Sequence, residues 1–166
     1  MDLGIAGRVC VVTGGSRGIG LETARLLRAE DAKVLLVARD AGRLAAAAEG
    51  LDGGNEEIAT LPLDITEPDA GEQMLGAALE AFGGIDVLVN NAGAARYRDV
   101  FEVPDQDWRD QFELNVMAPM RAMKAIAPVL AERGWGRIVN VCSTAAKRPS
   151  QTMPEYSVAK AAELSL

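Results

Sequence analysis

The sequence contains no histidine and only two cysteines in 166 residues. Without an imidazole, a histidine-dependent catalytic triad and a histidine-ligated metal site are both excluded, and we predict no metal centre. Cys10 and Cys142 each lie in an apolar run, without the spacing of metal ligands. We therefore predict two buried thiols in a reducing compartment. Met1–Gly7 lacks a basic segment followed by a long apolar one, so no signal peptide is expected and the predicted location is cytoplasmic.

Positive charge and long apolar stretches are also scarce. The chain has 24 acidic and 17 basic side chains, a formal net charge of −7, which argues against a nucleic acid as partner. No apolar run approaches the ~18 residues of a membrane span, so no membrane partner is expected. The remaining composition, 49% apolar and 25% charged, is ordinary for a globular chain. Its length suits a single domain with a substantial core, which we assign to residues 1–166.

Short apolar, β-branched runs alternate with helical patterns along the chain. Such runs are typical of strands buried on both faces of a parallel sheet. Strands are predicted at 8–13, 33–38, 58–63, 86–90 and 136–141. Helices are predicted from the glycine loop to about 29, at 43–51 with a turn at 52–55, at 69–82, at 105–133 and around 156. This alternation predicts an α/β fold with one doubly wound parallel sheet.

The first strand runs directly into a glycine-rich turn and then a helix. The glycines permit a tight turn, close approach of the backbone to a pyrophosphate, and close packing of helix on strand. Free N–H groups at the helix N-terminus attract the anion. The strand–turn–helix context favours a dinucleotide-binding loop over a turn without a ligand. The residues predicted to contact the cofactor here are Gly14, Ser16, Arg17, Gly18, Ile19 and Gly20.

The second strand ends in Ala38-Arg39-Asp40, where NAD-preferring sites carry an acidic residue for the ribose 2′-hydroxyl. Arg39, together with Arg17 of the glycine loop, suits a 2′-phosphate instead, because a guanidinium binds phosphate through several hydrogen bonds. We therefore predict NADP as the cofactor, with NAD less favoured. The alternative is that Arg39 points to solvent while Asp40 caps the next helix.

Small and polar residues follow the third and fourth strands. Asp64, with Ile65 after it, is placed to reach the adenine edge or to cap the following turn, and the two roles are compatible. Asn91, Ala92 and Gly93 leave space beside a cofactor. The asparagine side chain can also tie neighbouring strand ends together. These five residues are predicted to contact the cofactor.

Two helices carry mostly apolar residues at helical spacing. In the first helix the shared side is formed by Ile19, Thr23, Leu26 and Leu27. In the helix at 105–133 the stripe is rich in methionine, which is typical of a core or of a subunit contact. Its members are Phe112, Val116, Met120, Met123, Ala127 and Leu130.

Tyr156 and Lys160 lie four residues apart, so their side chains share one helix face. A phenol ordinarily titrates near ~10, which is too high for work at neutral pH. A fixed cation beside it lowers that pKa. The pair can then act as a general acid and base for a carbonyl substrate. Surface tyrosine and lysine residues also occur at this spacing, so the upstream motifs must decide between the two interpretations.

Two further residues are candidates for a role in the site. Asn115 lies inside a predicted helix, where it is either solvated or binds a water near the site. Ser143 follows the fifth strand, in the ligand-binding crevice of open α/β sheets, where its hydroxyl can orient a substrate carbonyl. Its neighbour Cys142 is predicted to be a buried structural thiol rather than a nucleophile, because the chain has no histidine to serve as base.

Together these motifs resemble the classical subfamily of the short-chain dehydrogenase/reductase family. The order and spacing of the motifs fit this family along essentially the whole chain. The residues within the motifs are similar to those of the 3-oxoacyl-carrier-protein reductase-like branch. The resemblance implies a Rossmann fold with strand order 3-2-1-4-5. The matching features are T-G-x-x-x-G-x-G at Thr13–Gly20, Asp64, N-N-A-G at Asn90–Gly93, Asn115, Ser143 and Y-x-x-x-K at Tyr156–Lys160.

The resemblance also implies hydride transfer between NADP(H) and a ketone or secondary alcohol. Tyr156 would be the acid/base, and Lys160 would lower the pKa of its phenol and bind the nicotinamide ribose. Ser143 would hydrogen-bond the substrate oxygen, and Asn115 would support a water in a proton relay. The implied substrate is a small carbonyl or alcohol, with an acyl thioester as an alternative. A homodimer or homotetramer built on the helix at 105–133 and the Tyr156 helix is implied as well.

Members of this family continue past the Y-x-x-x-K helix into a sixth strand, a substrate-covering segment and a seventh strand, whereas this sequence stops at Leu166. We therefore expect a C-terminally incomplete domain with its fifth strand at an exposed edge. Two hypotheses stay open: an NADP-dependent oxidoreductase, and a dinucleotide-binding fragment without turnover. Use of the same pair for epimerisation or dehydration is disfavoured, because those relatives carry the spacing T-G-x-x-G-x-x-G.

Overall fold

The computed structural model describes residues 3–51, 54 and 56–166. Within these residues, five strands form one sheet in the order β3-β2-β1-β4-β5, and all four neighbouring pairs are parallel. This confirms the predicted fold class and strand order, and every predicted strand end lies within one residue of the observed one. The strands are β1 (Val9–Thr13), β2 (Lys33–Ala38), β3 (Ile58–Pro62), β4 (Val87–Asn90) and β5 (Arg137–Asn140).

Six α-helices connect and cover the strands in the described part of the chain. The helix predicted at 105–133 is helical over nearly that range, but it changes type at a π-helical turn, Glu113–Met117. The turn predicted at 52–55 falls mostly outside the described residues, which omit 52, 53 and 55. No described helix is long and apolar enough to cross a membrane. The helices are α1 (Gly18–Ala29), α2 (Ala41–Glu49), α3 (Ala70–Phe82), α4 (Asp105–Phe112), α5 (Ala118–Glu132) and α6 (Pro154–Glu163).

Two apolar clusters lie on opposite faces of the sheet, because successive side chains of a strand point to opposite sides. On one face, Val11 and Leu35 pack with Met74 of α3 and Ile126 of α5. On the other face, alternate strand residues pack with α1 and α2; this cluster includes Cys10, Val12, Val34, Leu36, Ala24 and Leu44. Burial on both faces explains why the inner strands β2, β1 and β4 are nearly continuous apolar runs, whereas the edge strands β3 and β5 are partly exposed.

Helix α1 packs through its smallest residues. Gly20 and Ala24 are its buried positions, whereas Ile19 is 66% and Leu26 is 61% exposed. A Cβ at Gly20 would overlap the carbonyl oxygen of the preceding glycine turn, so only glycine allows this close approach. Of the residues predicted to share one side of this helix, Leu27 packs against the core, whereas Ile19 and Leu26 are exposed.

Strand β5 lies at one edge of the sheet, and the side chain of Val139 within it is 48% exposed. The expected exposed position of the fifth strand is thus confirmed. An edge strand presents unpaired backbone groups that can bind another strand. The opposite edge is formed by β3, so the central strand β1 carries the glycine turn in the middle of the sheet.

Candidate active site

A cavity of about 710 Å³ opens at the carboxyl ends of the five strands. This is the position at which open α/β sheets bind ligands, and the volume lies within the ~300–1,000 Å³ of small-molecule sites. It brings together most of the predicted site residues: Gly14, Arg17, Gly18, Ile19, Arg39, Asp64, Ile65, Asn91, Ala92, Gly93, Tyr156 and Lys160. Four other predicted residues do not line the cavity: Ser16, Gly20, Asn115 and Ser143.

The glycine turn has the backbone that a diphosphate requires. Gly14 and Gly18 have φ angles of 67° and 57°, a region that residues with a side chain rarely adopt. A Cβ added at Gly18 would meet no atom within 4 Å, so the turn faces open space. Helix α1 begins at Gly18, and its unpaired N–H groups therefore lie at the cavity. These features fit the phosphates of a dinucleotide.

The end of β4 is tied to the end of β1 through side chains. The Asn91 amide donates to the carbonyl oxygen of Thr13 at 2.9 Å. In return, the Thr13 hydroxyl accepts from the backbone N–H groups of Asn91 and Ala92, at 2.9 and 3.0 Å. The predicted tie between strand ends is confirmed, and it holds Asn91 and Ala92 against Gly14.

Arg39 forms an ion pair with Asp64 at one end of the cavity. The distance between its Nη1 and the Asp64 Oδ2 is 3.8 Å, and the arginine side chain is 80% exposed. Burial alone would raise the pKa of Asp64, but hydrogen bonds from the Thr66 N–H and hydroxyl, together with the Arg39 charge, lower it below its ordinary value. Asp40 accepts from the backbone N–H of Arg43 at 3.0 Å and so caps α2, as the alternative interpretation of this segment expected.

Asn115 is completely buried in the π-helical turn, so the alternative of a solvated residue is wrong. Its amide nitrogen donates to the backbone carbonyl of Gln111 at 2.9 Å and to the Gln111 side chain at 2.8 Å. Its Oδ1 has no hydrogen-bond partner among the described residues. A Cβ at Gly93 would lie 3.1 Å from this oxygen and 3.7 Å from Lys160 Nζ, so glycine keeps the space between them open. Turns of this π type are frequent at functional sites.

Tyr156 and Lys160 both face the cavity from α6. The Lys160 Nζ lies 5.8 Å from the centre of the Tyr156 ring, as their spacing on one helix face predicted. The ammonium donates to the backbone carbonyl of Val141 at 3.0 Å and forms an ion pair with Glu163 at 2.6 Å. Tyr156 is half-buried, so its ring is reachable from the cavity.

Cys142 and Ser143 lie two and three residues past the end of β5. Ser143 caps a short 3₁₀ turn, Thr144–Ala146, and its hydroxyl accepts from the Ala145 N–H at 3.1 Å. Cys142 was predicted to be buried, but it is only partly buried and lines the cavity. Its thiol donates to the backbone carbonyl of Lys160 at 3.3 Å and so helps to attach α6 to the end of β5. By contrast, Cys10 is fully buried as predicted, and burial followed by the charge of Asp86 raises its pKa to about 12.

Several residues that the sequence did not single out belong to the same site. Gln111 and Glu163 hold Asn115 and Lys160, at spacings of four and three residues on their helices. Glu155 is 1% exposed and lines the cavity, and neither of its carboxylate oxygens has a partner within the described part of the chain. Helical spacing relative to the known motifs would have pointed to the first two, because residues three or four apart are neighbours on a helix.

The sequence profile described as short chain dehydrogenase matches residues 8–166, and the chain belongs to that family. The 3-oxoacyl-[acyl-carrier-protein] reductase of Vibrio cholerae is 34% identical over 159 residues, which are 96% of this chain and 64% of that protein. L-Sorbose reductase of Gluconobacter frateurii, solved with NADPH and L-sorbose, aligns with a TM-score of 0.91 at 36% identity. NAD⁺-bound xylitol dehydrogenase aligns with a TM-score of 0.89 at 29% identity.

These alignments cover almost all of this chain but not all of its relatives. The two structures are matched by 99% and 97% of this chain, which correspond to 63% and 62% of their own lengths. The chain thus spans less than two thirds of the length of each of these three relatives. The relatives act on or bind different molecules and use both dinucleotides, so the family and the dinucleotide site are the properties they share with this chain.

Proposed function

We propose that this chain is an NADP(H)-dependent oxidoreductase that interconverts a ketone and a secondary alcohol, with residues 1–166 as a single NAD(P)-binding domain. The observation that carries this proposal is that one cavity contains both the glycine turn and the Tyr156–Lys160 pair. A dinucleotide whose phosphates lie against the Gly14–Gly20 turn extends along the strand ends toward this pair.

The chain's own groups have distinct roles in the proposed reaction. When bound, the dinucleotide supplies or accepts the hydride. The Tyr156 hydroxyl gives its proton to the carbonyl oxygen during reduction and takes it back during oxidation. The Lys160 ammonium favours the negative charge that then develops on the phenol. Ser143 hydrogen-bonds the substrate oxygen, and the unpartnered Asn115 Oδ1 accepts from a water on the path of the proton.

The proposed preference for NADP is based on two arginines. Arg17 and Arg39 line the cavity beside the end of β2, where Ala38 stands instead of an acidic residue. The Arg39 guanidinium is mostly solvated and only loosely paired with Asp64 at 3.8 Å, so a 2′-phosphate can compete for it. Since one similar structure contains NADPH and another NAD⁺, the relatives alone do not decide between the cofactors.

We propose a small, neutral carbonyl or alcohol as substrate, with an acyl thioester as the alternative. The wall of the cavity formed by α4, the π-helical turn and α6 carries the carboxylates of Asp110, Glu113 and Glu155. Such a wall repels an anionic substrate and accepts hydrogen bonds from hydroxyl groups. A polyhydroxy substrate such as the L-sorbose bound to the similar reductase is consistent with it.

We also propose that the chain associates with copies of itself through the outer faces of α4 and α6. Phe112 and Val158 are 42% and 54% exposed on these faces. Between them lies a second cavity of about 410 Å³, which Trp108 also lines and whose surface is mostly apolar. Two copies related by a twofold axis would place this same patch of each chain against the other, because such an interface is self-complementary. Cytoplasmic location stays a prediction, supported by two cysteines that form no disulfide.

The proposed chemistry is tested with Tyr156→Phe, assayed for NADPH binding and for NADPH oxidation with a panel of ketones. We expect binding to be kept and turnover to fall by a factor of about 10²–10⁴ or more, since the variant removes the acid/base group. Tyr97→Phe is the matched control, because Tyr97 is 80% exposed and does not line the cavity. Full turnover in Tyr156→Phe would remove Tyr156 from the mechanism.

The second candidate is a dinucleotide-binding chain without turnover. The observation behind it is that the chain spans only 64% and 63% of the lengths of two relatives. It predicts that the unaltered chain binds NADPH, with the affinity reduced by substitution of Arg39, but reduces none of the ketones. Absence of NADPH binding would contradict both candidates, so a binding titration comes before any assay of turnover.

A further inference from the structure

Lys160 and Glu163 form an ion pair that is almost completely withdrawn from water. The Lys160 Nζ and the Glu163 Oε2 are 2.6 Å apart, and the side chains are 3% and 2% exposed. Both residues lie on α6, three positions apart, with the ammonium also hydrogen-bonded to the carbonyl of Val141 at 3.0 Å. The ammonium is therefore held between its own helix and the end of β5.

A buried ammonium needs a charge partner to stay protonated. Burial in a low-dielectric site disfavours the charged form of lysine, while an opposite charge in contact favours it. The Val141 carbonyl supplies a dipole rather than a full charge. Among the described residues, Glu163 is the one carboxylate within 4.0 Å of the Lys160 ammonium.

The other titratable groups around α6 do not replace it. On α6 itself and at the end of β5, Tyr156 presents its ring and Cys142 donates its thiol to a carbonyl. Glu155 lines both cavities without a partner, and Arg109 lines the outer one. The acidic residues of α4 and the π-helical turn that line the main cavity have partners of their own: Asp107 with Arg96 and Arg98, Asp110 with Gln106, and Glu113 with Arg121.

We propose that Glu163 is a positioning residue for Lys160, which keeps the ammonium charged and aimed at the space beside Tyr156. Its importance for catalysis depends on the proposed function, because there Lys160 is the cation that favours the tyrosinate. The carboxylate also offsets part of that positive charge, so the pair places a strong dipole beside the phenol rather than an isolated cation. Burial raises the pKa of the Glu163 carboxyl and the contact with Lys160 opposes that rise, as expected of a carboxylate retained in a dry site by its partner.

The charge of Lys160 can be measured directly, because the chain has only four lysines: Lys33, Lys124, Lys147 and Lys160. In a chain labelled with ¹³C at lysine, four ε-carbon NMR signals are followed against pH, and Lys160→Arg assigns the signal of interest by removing it. We expect the titration midpoint of Lys160 in Glu163→Gln to fall by about one pH unit or more relative to the unaltered chain, a tenfold change in proton affinity. Glu163→Asp should recover part of this shift, which a simple loss of packing would not produce.

Glu113→Gln is the matched control, since Glu113 lines the same cavity but pairs with Arg121. We expect this variant to leave the Lys160 midpoint within a few tenths of a unit. An unchanged midpoint in Glu163→Gln would overturn the proposal. If that variant does not fold, the same NMR titration of the unaltered chain tests the proposal. The chemical shift of the Lys160 ε-carbon should then show an inflection at the pH at which the Glu163 carboxyl signal titrates. Absence of this inflection would equally overturn the proposal.

This experiment needs neither cofactor nor substrate, so its outcome is separate from that of the proposed function. A coupled Lys160–Glu163 pair in a chain that binds no NADPH would leave the positioning role intact and reject the proposed chemistry. The reverse result, NADPH binding with an uncoupled pair, would reject the positioning role alone.

Discussion

The two ion pairs at opposite ends of the cavity differ in almost every physical respect. Arg39 and Asp64 are 3.8 Å apart with side chains 80% and 38% exposed, whereas Lys160 and Glu163 are 2.6 Å apart with side chains 3% and 2% exposed. An exposed pair contributes only ~0–1 kcal/mol and is easily rearranged. A buried pair cannot lose one member without leaving an isolated charge in a low-dielectric site.

This difference matches a second one: backbone elements shape one end of the cavity, and buried side chains shape the other. At the dinucleotide end, the fixed elements are backbone: the positive φ angles of Gly14 and Gly18, and the helix N-terminus behind them. The charged side chains there are largely exposed: Arg39 is 80% and Asp64 is 38% exposed. At the end formed by α6 and the π-helical turn, the fixed elements are side chains, with Lys160 and Asn115 both buried and bonded within their own helices.

The largest predicted effect comes from removing one member of the buried pair. Lys160→Met leaves the Glu163 carboxylate without its partner, and we expect the free energy of unfolding at neutral pH to fall by about 3–5 kcal/mol. Urea denaturation followed by circular dichroism measures this change. The loss should shrink in acid, because protonation of Glu163 removes the unpaired charge.

Two controls sharpen this contrast between the pairs. Lys160→Met combined with Glu163→Leu removes both charges, and we expect it to recover most of the lost stability. Arg39→Ala breaks the exposed pair and should change stability by less than about 1 kcal/mol. Equal losses in Lys160→Met and Arg39→Ala would show that burial does not separate the two pairs.

How far the sequence predicts this molecule depends on whether a feature is local. The strands were predicted to within one residue, because burial on both faces leaves an uninterrupted apolar run such as Lys33–Ala38. The glycine turn was equally predictable from the sequence, since the positive φ angles of Gly14 and Gly18 favour glycine. The catalytic candidates were found through motifs of fixed spacing.

Features that could not be predicted from the sequence are mostly set by tertiary packing. An i,i+3 pair of lysine and glutamate is ordinarily an exposed and weak contact, so nothing local marks Lys160 and Glu163 as buried. Their burial follows from the packing of α6 against the 3₁₀ turn that follows β5, against α4 and against the π-helical turn. The change of helix type around Asn115, by contrast, has a local signal: Pro119, four residues further on, has no N–H to donate to the Asn115 carbonyl.

The next prediction concerns the exposed pair and cofactor choice. Arg39→Asp removes the guanidinium and adds a negative charge where a 2′-phosphate would lie. We expect the ratio of NADPH to NADH affinity to fall about tenfold or more, the equivalent of one lost hydrogen bond to a charged group. Fluorescence titration with each dinucleotide measures the two affinities.

Arg43→Asp is the matched control for this change. Arg43 is an exposed arginine of α2 that pairs with Asp40 and does not line the cavity. We expect it to leave the affinity ratio within about twofold, since an exposed charge outside the cavity is largely screened by water and salt. Equal NADPH affinity in Arg39→Asp and in the unaltered chain would show that Arg39 does not contribute to cofactor binding. The proposed preference for NADP would then rest on Arg17 alone.

The smallest predicted effect is a pair of opposite pH dependences, one from each ion pair. Burial raises the pKa of Glu163 above its ordinary 4.5, so above that pH the unfolded chain releases a proton that the folded chain still holds. The free energy of unfolding should therefore fall as pH rises from 4.5 through the folded-state pKa. The pKa of Asp64 is lowered below 3.8, so its contribution is complete above that pH and is lost as pH falls toward the folded-state pKa.

Difference curves isolate these two contributions. The unfolding free energy of the unaltered chain minus that of Glu163→Gln should decline with rising pH above 4.5, while the difference from Asp64→Asn should increase with pH below 3.8. Slopes of the same sign in both curves would contradict the assignment of one carboxylate to a dry site and the other to a solvated one. Opposite slopes would establish that the two ends of one cavity hold their charges by different physical means: exclusion of water around Glu163, and hydrogen bonds from Thr66 around Asp64.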